Sequence, residues 1–311
     1  MSRFLFRRLV LLVPVILGTV TLTFLLMHLT PGDPARTYLG EHATPEAIAA
    51  LRQQWGLDQP LAIQYLHFLR DLVTGQLGES MFFHEPIIDL LATRLPPTLL
   101  LMLMSAVLSL IIAVPLAAWS AVSKSGLSDM VARALTAVFQ GTPIFFIATI
   151  FILVFSIRLK IFPVAGYGNK PWDHVVSLFL PALTLALGIV PVLMRSLRTA
   201  LIDALNSEYV NFARAKGLRS RTVWLHYALR NASISGLSIL SIQIGFLAGG
   251  SLVVENVFAI PGMGTFLMKG ILNRDFPVVQ ASALVFALLV LLVYLITDIA
   301  YTLLDPRVRL K

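Results

Sequence analysis

Leu95–Ser123 reads LPPTLLLMLMSAVLSLIIAVPLAAWSAVS, 29 residues without an Asp, Glu, Lys or Arg. An α-helix rises about 1.5 Å per residue, so about 20 such residues cross the hydrocarbon of a bilayer. A stretch this long and this apolar is a transmembrane helix with turns to spare. Five more charge-free gaps accompany it: Leu9–Gly32, Ala134–Ile157, His174–Met194, Asn231–Val254 and Phe276–Thr297, of 24, 24, 21, 24 and 22 residues. The expected fold is all-α and integral to the membrane, with six transmembrane helices. Of 311 residues 57% are hydrophobic and 13% charged, against about 45–50% and about 25% in soluble domains, and mean hydropathy is +0.83. One soluble core cannot hide that much apolar surface. With no cysteine in the chain, disulfides and thiolate chemistry are excluded.

Basic residues orient the helices. With the N-terminus inside, the inner segments hold 15 of the 24 Lys and Arg: Arg3, Arg7 and Arg8, then Lys124 and Arg133, then seven between Arg195 and Arg230, then Arg307, Arg309 and Lys311. Cytoplasmic segments carry such an excess, so both termini are expected in the cytoplasm. The net charge of +8 then follows membrane sidedness and needs no nucleic acid. The apolar run from Leu9 to Leu29 is too long for a signal-peptide core of about 7–15 residues, so it is expected to stay as an anchor. No internal repeat at a period of about 20–50 residues is evident, which leaves one integral domain over 1–311.

The segment 31–95 is too long to be a mere connector and is expected to be an external helical insertion between the first and second helices. Thr44 and Pro45 open a helix with Ile48, Leu51 and Trp55 on one face. After Asp58-Gln59-Pro60 a second helix carries Leu61, Tyr65, Phe68, Leu69 and Leu72; such stripes pack on other helices or lie at the membrane surface, with direct substrate binding as the second reading. A second external segment, 255–277, has Pro261, Gly262 and Gly264 at a turn, a short helix over Thr265–Leu272, and a further turn at Asn273-Arg274-Asp275. It reads as a re-entrant hairpin at the outer mouth, with an ordinary loop as the second reading; a β-branched residue at Gly262 or Gly264 would penalise the turn if either uses positive φ.

The loop 195–230 is the most informative. Leu201, Leu205, Tyr209, Phe212 and Ala213 form an apolar stripe that breaks at Gly217, and Val223, Trp224 and Tyr227 start another. Apolar residues on a short, basic, cytoplasmic helix suit a groove on a partner protein, although resting on anionic membrane lipid is a second reading. In the fifth helix Ser238, Ser241, Gly245 and Gly249 recur at three- and four-residue spacing, with Gln243 beside them. Small residues permit close helix packing; Ser238, Ser241 and Gln243 are also candidates to line a translocation path. Asp298 stands six residues before Leu304, about 9 Å from the helix end, where a polar contact is tolerable.

Chemistry of its own is not expected. The chain has no G-x-x-x-x-G-K-[ST] loop to cradle ATP. Its apolar helices hold no H-E-x-x-H or G-x-S-x-G motif and no paired acids. An ion-coupled secondary transporter would need ionisable groups near the midplane, and Asp298 is the one acid available.

The chain resembles the inner-membrane permease subunits of ABC importers for dipeptides, oligopeptides, nickel and glutathione. The resemblance rests on EYVNFARAKGLRSRTVWLHYALRNA at Glu208–Ala232, similar to that family's EAA loop, and on PGDP at Pro31–Pro34, WGLDQPLAIQY at Trp55–Tyr65, LGES at Leu77–Ser80 and RLPPTLLL at Arg94–Leu101. Further on it rests on VENVFAIPGMG at Val254–Gly264, RDFPVVQ at Arg274–Gln280 and LLDPR at Leu303–Arg307. Two departures are Asn211, where the general motif has Glu, and Ser233-Ile234-Ser235, which lacks the proline common after the RNA triplet. The resemblance implies a non-catalytic permease for dipeptides or oligopeptides, with nickel, glutathione or another small solute as alternatives. It implies a homologous second permease, two ATPase subunits that bind ATP and Mg, and an extracytoplasmic solute-binding protein; this chain would bind no cofactor or metal. Glu208, Tyr209, Phe212, Ala213, Ala215 and Gly217 would couple to the ATPase, and Pro261, Gly262, Gly264, Arg274 and Asp275 would form the outer gate.

Overall fold

The computed structural model of the chain describes residues 2–29, 33–40, 43–122 and 127–304. The sequence features at Pro31-Gly32, Lys124 and 305–311 lie outside them. Every regular element among the described residues is helical, and a single β-bridge pairs Glu79 with Pro86. In chain order the helices are α1 (Ser2–Leu29), α2 (Pro34–Leu39), α3 (Pro45–Gln54), α4 (Leu61–Val73), α5 (Ile87–Val122) and α6 (Leu127–Gly141). There follow α7 (Ile144–Arg158), α8 (Pro171–Leu205), α9 (Glu208–Ala215), α10 (Ser220–Val257), α11 (Met263–Leu272) and α12 (Phe276–Leu304). The end of α7 and the stretch Val223–Leu229 of α10 are π-helical.

Four of these are long and apolar enough to cross a membrane: Ile87–Val122, Pro171–Leu205, Ser220–Val257 and Phe276–Ala300. Leu12–Leu26 and Ile144–Arg158 are shorter apolar helices at the first and third expected spans. The uninterrupted helix expected over 134–157 is instead two, α6 and α7, separated at Thr142-Pro143. Proline lacks an amide donor and its ring clashes with the preceding turn, and Pro143 becomes the N-cap of α7. The loop 195–230 is also shorter than expected. Its first residues extend α8 to Leu205 and its last belong to α10, which leaves α9 and two turns between them.

The chain divides into two compact units. The first comprises residues 1–96 and 261–289. Its core joins Ile87, Leu90 and Leu91 of α5, Met263 and Phe266 of α11, and Val278 and Ala281 of α12. In the 33–73 segment Asp33 caps α2, and its carboxylate meets Arg52 Nε of α3 at 3.0 Å. Thr44 accepts a hydrogen bond from the Ala47 amide. Gly270 lets α11 approach α12, since a Cβ there would lie 2.7 Å from Val278 Cγ1.

The second unit comprises residues 97–260 and 290–311. Its spine is α8, whose Leu178, Leu185, Ile189, Leu193, Leu197 and Leu201 are buried in the core. Arg198 on α8 donates from Nε to Ser120 Oγ of α5 at 2.8 Å. The Gly166 amide bonds to the Phe258 carbonyl at 2.9 Å. Outward faces stay apolar: along α12 Leu288, Leu292, Tyr294 and Ile296 are exposed, a face that requires lipid or another apolar protein surface.

A paired substitution tests the packing. Gly270→Ala should lower the melting temperature of the purified protein, because stiff, β-branched Val278 must give way at a cost of about 1–3 kcal/mol. Gly249→Ala on α10, where a Cβ would meet nothing within 4 Å, should be neutral or slightly stabilising through helix propensity. Equal melts for the two variants would refute the close approach.

Candidate functional site

The α8–α9 corner is built locally. Ser207 has extended backbone, caps α9 and receives the Asn211 amide on its carbonyl at 3.1 Å. At the other end Gly217 takes φ +75°. The Gly217 amide bonds to Arg214 O at 2.9 Å and the Leu218 amide to Ala213 O at 3.3 Å, the pair of bonds that closes a helix through a left-handed glycine.

With its ends fixed, α9 has two faces. Val210 and Ala213, 0% and 3% exposed, pack with Val223 and Tyr227 of α10. Tyr209 and Phe212 are 42% and 63% exposed. Ala213, expected among the partner-facing residues, thus turns inward and seats the helix; Ala215 and Glu208 are exposed. Tyr209 Oη accepts from Asn231 Nδ2 at 3.1 Å, and the same amide group donates to Tyr227 O at 2.8 Å. Asn231, the middle of the RNA triplet, therefore holds Tyr209 to α10, a role that sequence spacing does not show. Phe212 projects furthest, with Lys216 Nζ 4.6 Å above its ring.

At the α10–α12 hairpin the left-handed residues are Ala259 (φ 49°) and Arg274 (φ 54°). Gly262 is extended (φ −105°, ψ −173°) and caps α11, while Gly264 lies inside that helix; both are buried. Neither glycine uses positive φ. Pro261 is half-buried beside them and Arg274 is exposed. Asp275 is fully buried. Its Oδ2 accepts from Ser80 Oγ at 2.5 Å and from the Phe82 amide at 3.0 Å, while Oδ1 faces the Val278 amide at 3.4 Å as the N-cap of α12. Ser80 in turn accepts the Phe83 amide at 2.8 Å. This carboxylate ties the Leu77–Ser80 turn to α12 across 195 residues of sequence.

On α10, Ser238 donates to Ile234 O and Ser241 to Ser238 O, so both hydroxyls bond to their own helix. Ser241 is 6% exposed; Ser238 and Gln243 are half-buried. A Cβ on Gly245 would stand 3.3 Å from Tyr294 Oη of α12, so Gly245 packs within the chain while Gly249 opens outward. Asp298 is half-buried, six residues before the end of α12. Glu255, which a charge-based boundary sets outside the fifth span, is inside α10 and 0% exposed, with Thr98 Oγ1 donating to its Oε1 at 2.7 Å.

Residues 113–310 match the family model described as binding-protein-dependent transport system inner membrane component, and residues 1–102 match the model of its N-terminal membrane component. Glutathione transport system permease protein GsiC of Escherichia coli (strain K12) is 37% identical over 311 residues, covering 100% of both chains. GsiC of Salmonella typhi is 36% identical with the same coverage. Among solved structures, an inward-facing MetNI methionine ABC transporter chain superposes with a TM-score of 0.60 at 18% identity, over 71% of this chain and 99% of that one. An amino acid ABC transporter chain gives 0.51 at 16% identity, over 69% and 94%. The solved structures establish likeness of fold.

Proposed function

Because the chain belongs to the family of binding-protein-dependent transport system inner membrane components, we propose that this ABC importer permease of the bacterial cytoplasmic membrane carries short peptides, with the tripeptide glutathione as the first cargo to test. The full-length relatives named as glutathione permeases support that order. Nickel or another small solute is the alternative cargo.

The working unit pairs this chain with a homologous permease and two ATPase subunits, which bind and hydrolyse ATP with Mg, and receives solute from an extracytoplasmic binding protein. Six spans with both ends inside place α9 in the cytoplasm. Glu208–Leu218 seats in a groove on the ATPase, the 255–277 hairpin forms the outer gate, and Ser238, Ser241 and Gln243 border the path shared with the second permease. ATP closure of the ATPases then moves α9 and opens the path outward, since a ligand biases a two-state machine through contacts that differ between states.

The observation that carries the coupling reading is Phe212, 63% exposed on a helix whose opposite face is packed into its own chain. Topology is testable because the native chain has no cysteine. A single cysteine at Ser220 should be labelled only after the membrane is opened, and one at Gln53 from outside intact cells. Labelling of Ser220→Cys from outside would overturn the orientation. For the cargo, cells carrying the whole importer should take up labelled glutathione, and uptake of nickel alone would replace the peptide reading.

A further inference from the structure

We infer that the first unit carries a binding site for a short peptide on the permease itself, in the open cleft bordered by α1, α3, α4 and the start of α12. This rests on the reading that the cargo is a short peptide, and on the proposed topology the cleft faces outside. Its volume is about 930 Å³, within the roughly 300–1,000 Å³ of small-molecule sites. A smaller hollow of about 190 Å³ shares Phe68, Asp71, Gly78, Pro277 and Gln280 with it.

The lining suits a peptide in three ways. Gln53, Gln54 and Gln59 border the cleft and are exposed. A carboxamide offers one acceptor oxygen and a donor amide, the complement of a peptide unit's own N–H and C=O, and such groups read a backbone whatever its side chains. Trp55 and Tyr38, edge to face at 5.2 Å, supply aromatic surface for those side chains. Charges of both signs, Glu79 and Arg70, border the same cleft and match a zwitterion's amine and carboxylate. Arg70 pairs with its neighbour Asp71 at 2.9 Å with both side chains exposed, and exposed pairs are weak enough to exchange partners.

The floor is built rather than accidental. His28 Nε2 meets Gln64 Oε1 at 3.1 Å, and Gln64 Nε2 donates to Leu57 O at 3.1 Å and Gln59 O at 2.8 Å. These bonds fix the Trp55–Pro60 turn, where Gly56 has φ +66°, and thereby hold Trp55 and Gln59 at the rim.

Trp55 is the reporter. The full permease complex in lipid nanodiscs, without binding protein, is titrated with glutathione and with trialanine while tryptophan emission is followed. The expected result is a saturable change that disappears in Trp55→Phe, with apparent affinity at least tenfold weaker in a Gln54→Leu/Gln59→Leu variant that melts as wild type does. No saturable change, a change that survives in Trp55→Phe, or unaltered affinity in the glutamine variant would each overturn the site. Uptake by cells is measured in parallel. Peptide uptake without a Trp55 response rejects the cleft alone, whereas a Trp55 response in an importer that takes up no peptide rejects the cargo reading alone.

Discussion

Phe212→Ala should cost the purified permease pair roughly 30-fold in affinity for its ATPase subunits and abolish most peptide uptake. An aromatic anchor in a partner's groove commonly contributes about 2 kcal/mol or more, and Phe212 is the more exposed of the two aromatic side chains of α9. The inward face formed by Val210 and Ala213 is untouched by this change, so the helix itself should persist. Gly217→Asp should act by another route. At φ +75° a side chain adds about 1–2 kcal/mol of strain and loosens the bonds that end α9, so uptake falls while the spans stay inserted; Gly217→Asn should be milder, since Asn tolerates that region. Arg219→Ala, at an exposed and screened position, should retain most activity. Full ATPase retention and full uptake in both Phe212→Ala and Gly217→Asp would mean that α9 lies on lipid.

The second large effect is expected at Asp275. Removing its carboxylate in Asp275→Ala strands the buried Ser80 hydroxyl and Val278 amide, and the part-buried Phe82 amide. Losing charged hydrogen bonds there should cost about 3 kcal/mol or more. The expected result is a lower melting temperature with protease cleavage appearing near the Leu77–Ser80 turn, and Asp275→Asn, which keeps one acceptor oxygen, should recover part of the loss. Melting and cleavage unchanged in Asp275→Ala would show that this carboxylate pins nothing.

Local signals in the sequence were the reliable ones. Thr44-Pro45 opens α3, Gly217 closes α9, and Ile48, Leu51, Trp55, Tyr65 and Phe68 all lie on half-buried faces, because caps and helical periodicity are decided within a few residues. Charge-free length also located the four long helices. It missed the break at Pro143, since a proline leaves the hydropathy of an apolar run untouched while removing the bond that keeps it helical. Long-range pairing was invisible: Ser80 meets Asp275 across 195 positions, and Thr98 meets Glu255 across 157. Asp275, placed with the outer gate by resemblance, is fully buried and bonded to Ser80, a pairing its place in a turn does not show. Gly262 and Gly264 were read for backbone freedom, while burial inside the hairpin is what they share.

The continuity of α10 has a mechanical consequence. Thirty-eight residues from Ser220 to Val257 make a rod about 57 Å long at 1.5 Å per residue, and its first turns hold α9 through Val223 and Asn231. A tilt of about ten degrees pivoting at one end of such a rod sweeps the other through about 10 Å, so under the proposed seating of α9 on an ATPase a small displacement there would be geared up with distance from the fulcrum. The π-helical turns at Val223–Leu229 lie at the end that carries α9, which on that proposal is where stiffening the helix would change the stroke without touching cargo or ATP.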